Sequence, residues 1–149
     1  MKEKRIYVVI AETVDTPLGA VRQVPGRMAA QGGHALSRMK MHRLIEDMRS
    51  KRHPRTFKRL EALADEKITT IYKSCRDSRE LEHIHRLLAK ARIEHCDFED
   101  ENDEIYGTYD DGMGCHPRTA IATVPVYPER AEGVVDYLPL WTPEGKSVC

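Results

Sequence analysis

The 149-residue chain lacks any apolar run near the roughly 18 residues that a membrane-spanning helix needs, so a transmembrane span is not expected. The short apolar stretch after Met1-Lys-Glu-Lys-Arg5 leads into Glu12 and Asp15 rather than into small residues. A secretory signal is therefore not expected either, and the reading is a cytoplasmic protein. The 4 cysteines fall at Cys75, Cys96, Cys115 and Cys149 with no C-x-x-C, which argues for free thiols. A zinc site could be imagined from Cys115-His116 plus a distant ligand. Adjacent ligands are poor zinc spacing, so no metal site is expected. There is no Walker loop, no dinucleotide fingerprint, no internal repeat and no low-complexity segment.

The chain also lacks net charge, with 24 Lys and Arg against 24 Asp and Glu, but these charges are segregated. From Arg22 to Arg59 there are eleven Lys or Arg and two acids, Glu46 and Asp47. From Glu94 to Asp111 there are nine acids and no Lys or Arg. Such a chain is an electric dipole, and its basic half is where a polyanion would land.

What is present reads as one α/β domain over residues 1–140, with a loose tail over 141–149. Arg5 to Ala11 is a β-branched and aromatic run of strand length. Thr13 to Pro25 reads as a connection, and Pro25-Gly26 as the turn that opens a helix at Arg27. That helix should bend or break near residue 40, where the apolar set changes face. A short helix is expected over Pro54 to Asp65, a strand over Ile68 to Cys75, and a helix capped by Asp77-Ser78 that runs to Arg92. Ile93 to Phe98 alternates as a strand, Glu99 to Gly114 reads as an acidic loop, Arg118 to Pro125 as a strand and Pro128 to Tyr137 as a helix. The order β-α-α-β-α-β-β-α predicts a mixed four-stranded sheet with helices on both faces.

One helical stripe has chemical content. Arg27, Gln31, His34 and Arg38 recur at helical spacing, within about 60° of one another and over about 16 Å. Two guanidiniums, an amide and an imidazole beside free N–H groups at a helix start suit an anion such as phosphate. Gly32-Gly33 inside this pattern costs helix stability and predicts close approach of a backbone or a ligand.

With those residues in view, the chain resembles the type 2 peptidyl-tRNA hydrolases from Ile6 to about Leu140. The resemblance is carried by Gly26-Arg27-Met28-Ala29-Ala30-Gln31-Gly32-Gly33-His34, by the strand Arg118-Thr119 to Pro125, and by the order of elements. It implies hydrolysis of the ester between a peptide and the tRNA 3′ end, with no cofactor. Arg27 stands where that family has a lysine, and arginine keeps the charge but cannot deliver a proton. The family acid falls on Glu99 or its neighbour Asp100, a family threonine becomes Asp103, and Thr119 is retained. About ten residues, Tyr106 to His116, are inserted. The resemblance thus implies Arg27, Glu99 and Thr119 as catalytic, and Gln31, His34, Arg38, Arg22, Asp100 and Asp103 as substrate-binding. It implies tRNA as the partner, held by the basic face Arg22 to Arg59 including Lys40, Arg43 and Lys51-Arg52. The alternative is a non-catalytic RNA-binding module on the same fold, and a homodimer is compatible with either.

Overall fold

The computed structural model describes residues 3–50 and 68–142, with side chains described to residue 46 in the first stretch. The N-terminal apolar run forms strand β1, Arg5–Thr16, which continues well past Ala11. It turns back into β2, Gly19–Arg22, so the segment expected as a plain connection is a hairpin. The turn signals were real but serve a tight reversal. The Thr16 hydroxyl donates to the Gly19 carbonyl at 2.8 Å, and Gly19 sits at φ 99°, open to glycine at no steric cost.

Helix α1 is Pro25–Ser50, and it is followed among the described residues by β3, Thr69–Asp77. Then come α2, Ser78–Lys90, and β4, His95–Glu99. The last elements are the one-turn helix α3, Asp103–Tyr106, strand β5, Arg118–Thr123, and the short α4, Pro128–Ala131. β1 pairs in parallel with β3 on one side and antiparallel with β5 on the other, and β4 lies antiparallel beyond β5. The sheet is mixed as expected but has five strands rather than four, because β2 extends it along the far half of β1.

Helices cover both faces. The even-numbered β1 residues Ile6, Val8 and Ile10, with Ala120 and Ala122 of β5, pack under Met28, Ala35 and Met39 of α1. Tyr7, Val9, Ala11 and Ile121 face the other way, against Leu81, Ile84 and Leu88 of α2. This is the period-two alternation of a strand buried on both sides. Gly32 explains the close seat of α1: a methyl there would stand 2.8 Å from Ile10 Cδ1. The helix is not broken near residue 40, and Met41 and Ile45 beyond it are exposed. The expected helix over 54–65 lies outside the described residues.

The expected acidic loop has more order than its residue types suggest: within the Tyr106 to His116 insert Thr108 is bridged to Gly114, and Cys115 N–H donates to Gly107 O at 2.9 Å. Tyr106 and Cys115, at its two ends, are buried in the α2-side core. The segment from α4 to Trp141 is tied down, while residues 143–149 of the tail expected over 141–149 lie outside the described residues. α4 stops at Ala131 instead of reaching Tyr137, and Leu140 bridges Lys73 while Trp141 N–H donates to Tyr72 O at 3.0 Å. The nearly buried Lys73 ammonium holds this segment by donating to the carbonyls of Asp136 (3.0 Å) and Leu138 (2.9 Å).

Candidate functional site

The site forms where α1 begins and β4 ends. Val24 O accepts from Met28 N–H at 3.0 Å, which closes the first turn of α1 with Pro25 at its start, a position where its fixed φ and missing N–H cost nothing. Arg27 and Gln31 follow one turn apart. At the other side β4 runs out through a register shift between Phe98 and Glu99, and Asp100 N–H then donates to Pro117 O at 3.1 Å. That bond turns the Asp100 side chain back toward α1.

Asp100 is the centre of the cluster. Gln31 Nε2 donates to its Oδ2 at 2.6 Å, and the Tyr106 hydroxyl donates to the same oxygen at 2.9 Å. Two donors on Oδ2 leave Oδ1 with no protein partner among the described residues. Gln31 is 3 % exposed and Tyr106 fully buried, so this carboxylate is clamped from the inner side only. Burial, and after it the bond to Asp100 and the Asp100 charge, push the Tyr106 phenol far above its usual range. Arg27, one helical turn before Gln31, opposes part of that rise, and among the described residues it has no ion-pair or hydrogen-bond partner. The site therefore holds one half-clamped carboxylate and one uncommitted guanidinium.

The remaining expected residues divide. His34 stacks on Phe98 with ring centroids 4.7 Å apart and 28° between planes. Arg38 lines an open groove of about 700 Å³ with Phe98, Glu99, Asp100 and Asp103. The stripe read from the sequence thus faces the acidic segment. Glu99, expected as the acid, is exposed and sits opposite Arg118 in the β4–β5 register, so Asp100 is the acid brought to Gln31. Thr119 is fully buried and its hydroxyl donates to Phe98 O at 3.3 Å, so it holds the β4 backbone and does not face the groove. A side chain at Gly114 would collide with the Asp103 carboxylate, so Asp103 leans on the hairpin. Arg22 is exposed on β2.

The basic face is less uniform than its charge count. Arg43 pairs with Glu94 at 3.2 Å, and Lys40 borders a hollow with Ile6 and Tyr72 on the other flank of α1. Lys51 and Arg52 lie outside the described residues. Arg22, Arg27, Arg38 and Lys40 remain as cations without ion pairs among the described residues. No cluster of three or more metal-type ligands occurs among those residues, nor a helix long and apolar enough to cross a membrane.

Sequence reasoning missed Tyr106. Its signal was an aromatic residue within an otherwise charged stretch, directly before Gly107, which adopts φ 84° beneath the Leu18 side chain. Comparison with the models of known protein families gave no match, and comparison with curated proteins gave none either.

Proposed function

We propose that this chain hydrolyses the ester joining an acyl group, peptidyl above all, to the 3′ end of tRNA. The observation that carries the reading is the Asp100 carboxylate with one oxygen clamped by Gln31 and Tyr106 and the other free, beside an uncommitted Arg27 at a helix start. Asp100 Oδ1 orients a water and accepts its proton as the water oxygen bonds to the ester carbonyl carbon. Arg27, with the free N–H groups of the first turn of α1, stabilises the negative charge that develops on the carbonyl oxygen. Collapse breaks the bond to the ribose 3′ oxygen, which leaves with the proton from Asp100. Arginine suits the anion-stabilising role because it stays charged and presents paired N–H groups, and this scheme asks it for no proton.

The His34–Phe98 stack offers a flat surface for the terminal base, and Arg22 and Arg38 offer charges for phosphates on either side. Thr119 acts through the Phe98 carbonyl that it holds, as a positioning residue for the turn into Asp100. That buried hydroxyl is also what favours the second reading, a binding module without turnover, because it removes one donor from the reacting carbonyl. Incubation of the purified protein with peptidyl-tRNA and with aminoacyl-tRNA separates the two. Release of free tRNA above background supports the esterase, and tRNA binding without release supports the module.

A further inference from the structure

The groove beside Asp100, of about 700 Å³, carries charge mostly of one sign. Its lining sets five carboxylates, those of Glu99, Asp100, Glu101, Asp103 and Glu104, against one guanidinium, that of Arg38. None of the five is in an ion pair among the described residues. The two bonds on Asp100 come from neutral donors, the Gln31 amide and the Tyr106 hydroxyl, so they leave its charge in place.

The segment that bears these acids is fixed. Asn102 Oδ1 accepts from Glu104 N–H at 3.2 Å, and Asn102 O accepts from Tyr106 N–H at 2.9 Å. Tyr106 then returns its hydroxyl to Asp100, which closes residues 100–106 into a ring. The first turn of α3 accounts for acids at 103 and 104, because carboxylates favour a helix start. It does not account for Glu99 and Glu101, which lie outside that helix. Like charges on a fixed loop repel one another, and a cation placed among them relieves that repulsion.

A phosphate backbone is repelled by this wall, so the tRNA is kept to Arg22 and the start of α1. On the esterase reading the terminal base takes the His34–Phe98 stack and the ester lies at Asp100. The acyl group is then the part of the substrate left for the Glu101–Glu104 side of the groove. We infer, resting on that reading, that the groove selects acyl groups whose esterified residue has a cationic side chain, lysyl or arginyl. An acidic side chain would add one more negative charge to five and is disfavoured. Four of the five carboxylates are exposed, so the preference is modest and screened by salt.

The test loads N-acetyl-lysyl, N-acetyl-leucyl and N-acetyl-glutamyl groups on one and the same tRNA and measures kcat/KM for tRNA release by the full chain. The expected order is lysyl, leucyl, glutamyl, with about tenfold between the extremes at about 50 mM salt. At about 500 mM salt the span should shrink to about twofold. Glu101→Gln combined with Glu104→Gln should narrow the low-salt span to about threefold, with an unchanged thermal melt as the control for folding. Equal kcat/KM for the three acyl groups, a glutamyl preference, or a lysyl preference that salt leaves unchanged would each overturn the inference and leave the esterase reading standing. No release from any of the three would overturn both. All of these outcomes are read on the unmutated protein.

Discussion

Gln31 and Asp100 are 69 positions apart in the chain, and the Gln31 amide nitrogen stands 2.6 Å from the Asp100 carboxylate. This one bond joins the first two turns of α1 to the end of β4, with Tyr106 adding a second donor to the same oxygen.

Because both donors share Oδ2, their effects should not add. Gln31→Leu and Tyr106→Phe should each lower stability by about 1–3 kcal/mol in urea titrations, and the double variant should cost less than their sum. Additive losses would mean that the two side chains do not act on one carboxylate.

The two adjacent glycines of α1 should behave oppositely. Gly32→Ala drives a methyl into Ile10 and should destabilise by about 1–3 kcal/mol. Gly33 meets nothing within 4 Å, so Gly33→Ala should stabilise by up to about 1 kcal/mol through helix propensity. Thermal melts of the two variants decide the matter.

Arg118 donates to Asp97 at 2.6 Å and also pairs with Glu82, which ties β5 to β4 and α2. Burial acts to raise the Asp97 carboxyl, but the bond and charge of Arg118 outweigh it, and the net direction is below the ordinary 3.8. A depressed carboxyl contributes stability that is complete above the unfolded value and is lost as pH falls through the folded one. Stability should therefore fall below about pH 4, and Arg118→Met should flatten that part of the profile.

His95 titrates with the opposite sense. Its Nδ1 lies 2.8 Å from Ile93 O and must carry the proton there, so Nε2 accepts from His85 Nδ1 at 2.8 Å. Burial first of all holds its pKa below 6.5. The unfolded chain then takes the proton first as pH falls, so stability should drop from about pH 7 downward through 6.5 until the folded value is passed. Melts of His95→Gln should show a shallower drop over that window.

Binding of tRNA should weaken steeply with added salt, since phosphate neutralisation releases counterions. Arg22→Ala and Arg38→Ala should weaken it and reduce the salt slope, whereas Arg43→Gln should matter little because that charge is already paired with Glu94. Filter-binding curves at two salt concentrations read all three.

Much of this fold was legible in the sequence because its strands and α2 carry a clean period. Ile6 to Ala11 alternates between two buried faces, and Leu81, Ile84 and Leu88 mark one helical side with Asp77 capping it at 2.9 Å. The errors fall where long-range contacts override local pattern. The β1–β2 hairpin uses the same Thr, Asp, Pro and Gly residues that a loop would, and only pairing across Thr13–Arg22 tells them apart. α1 runs on past residue 40 because a helix can carry Met41 and Ile45 to solvent without breaking. At the site, spacing put Arg27, Gln31, His34 and Arg38 on one flank, but it could not choose between two neighbouring acids. The register shift at Phe98/Glu99 makes that choice, and such a bulge leaves no mark in residue types. The resemblance left the acid at Glu99 or Asp100, and Asp100 is the one that the fold brings to Gln31.

The most direct measurement is therefore the rate of free tRNA release from peptidyl-tRNA by the unmutated chain, by Asp100→Asn and by Glu99→Gln, each checked for an unchanged melt. The account predicts measurable release by the unmutated chain, a loss of about 100-fold or more in Asp100→Asn, and a rate within about threefold of the parent in Glu99→Gln. Equal rates in parent and Asp100→Asn, or no release by the parent while it still binds tRNA, would contradict it.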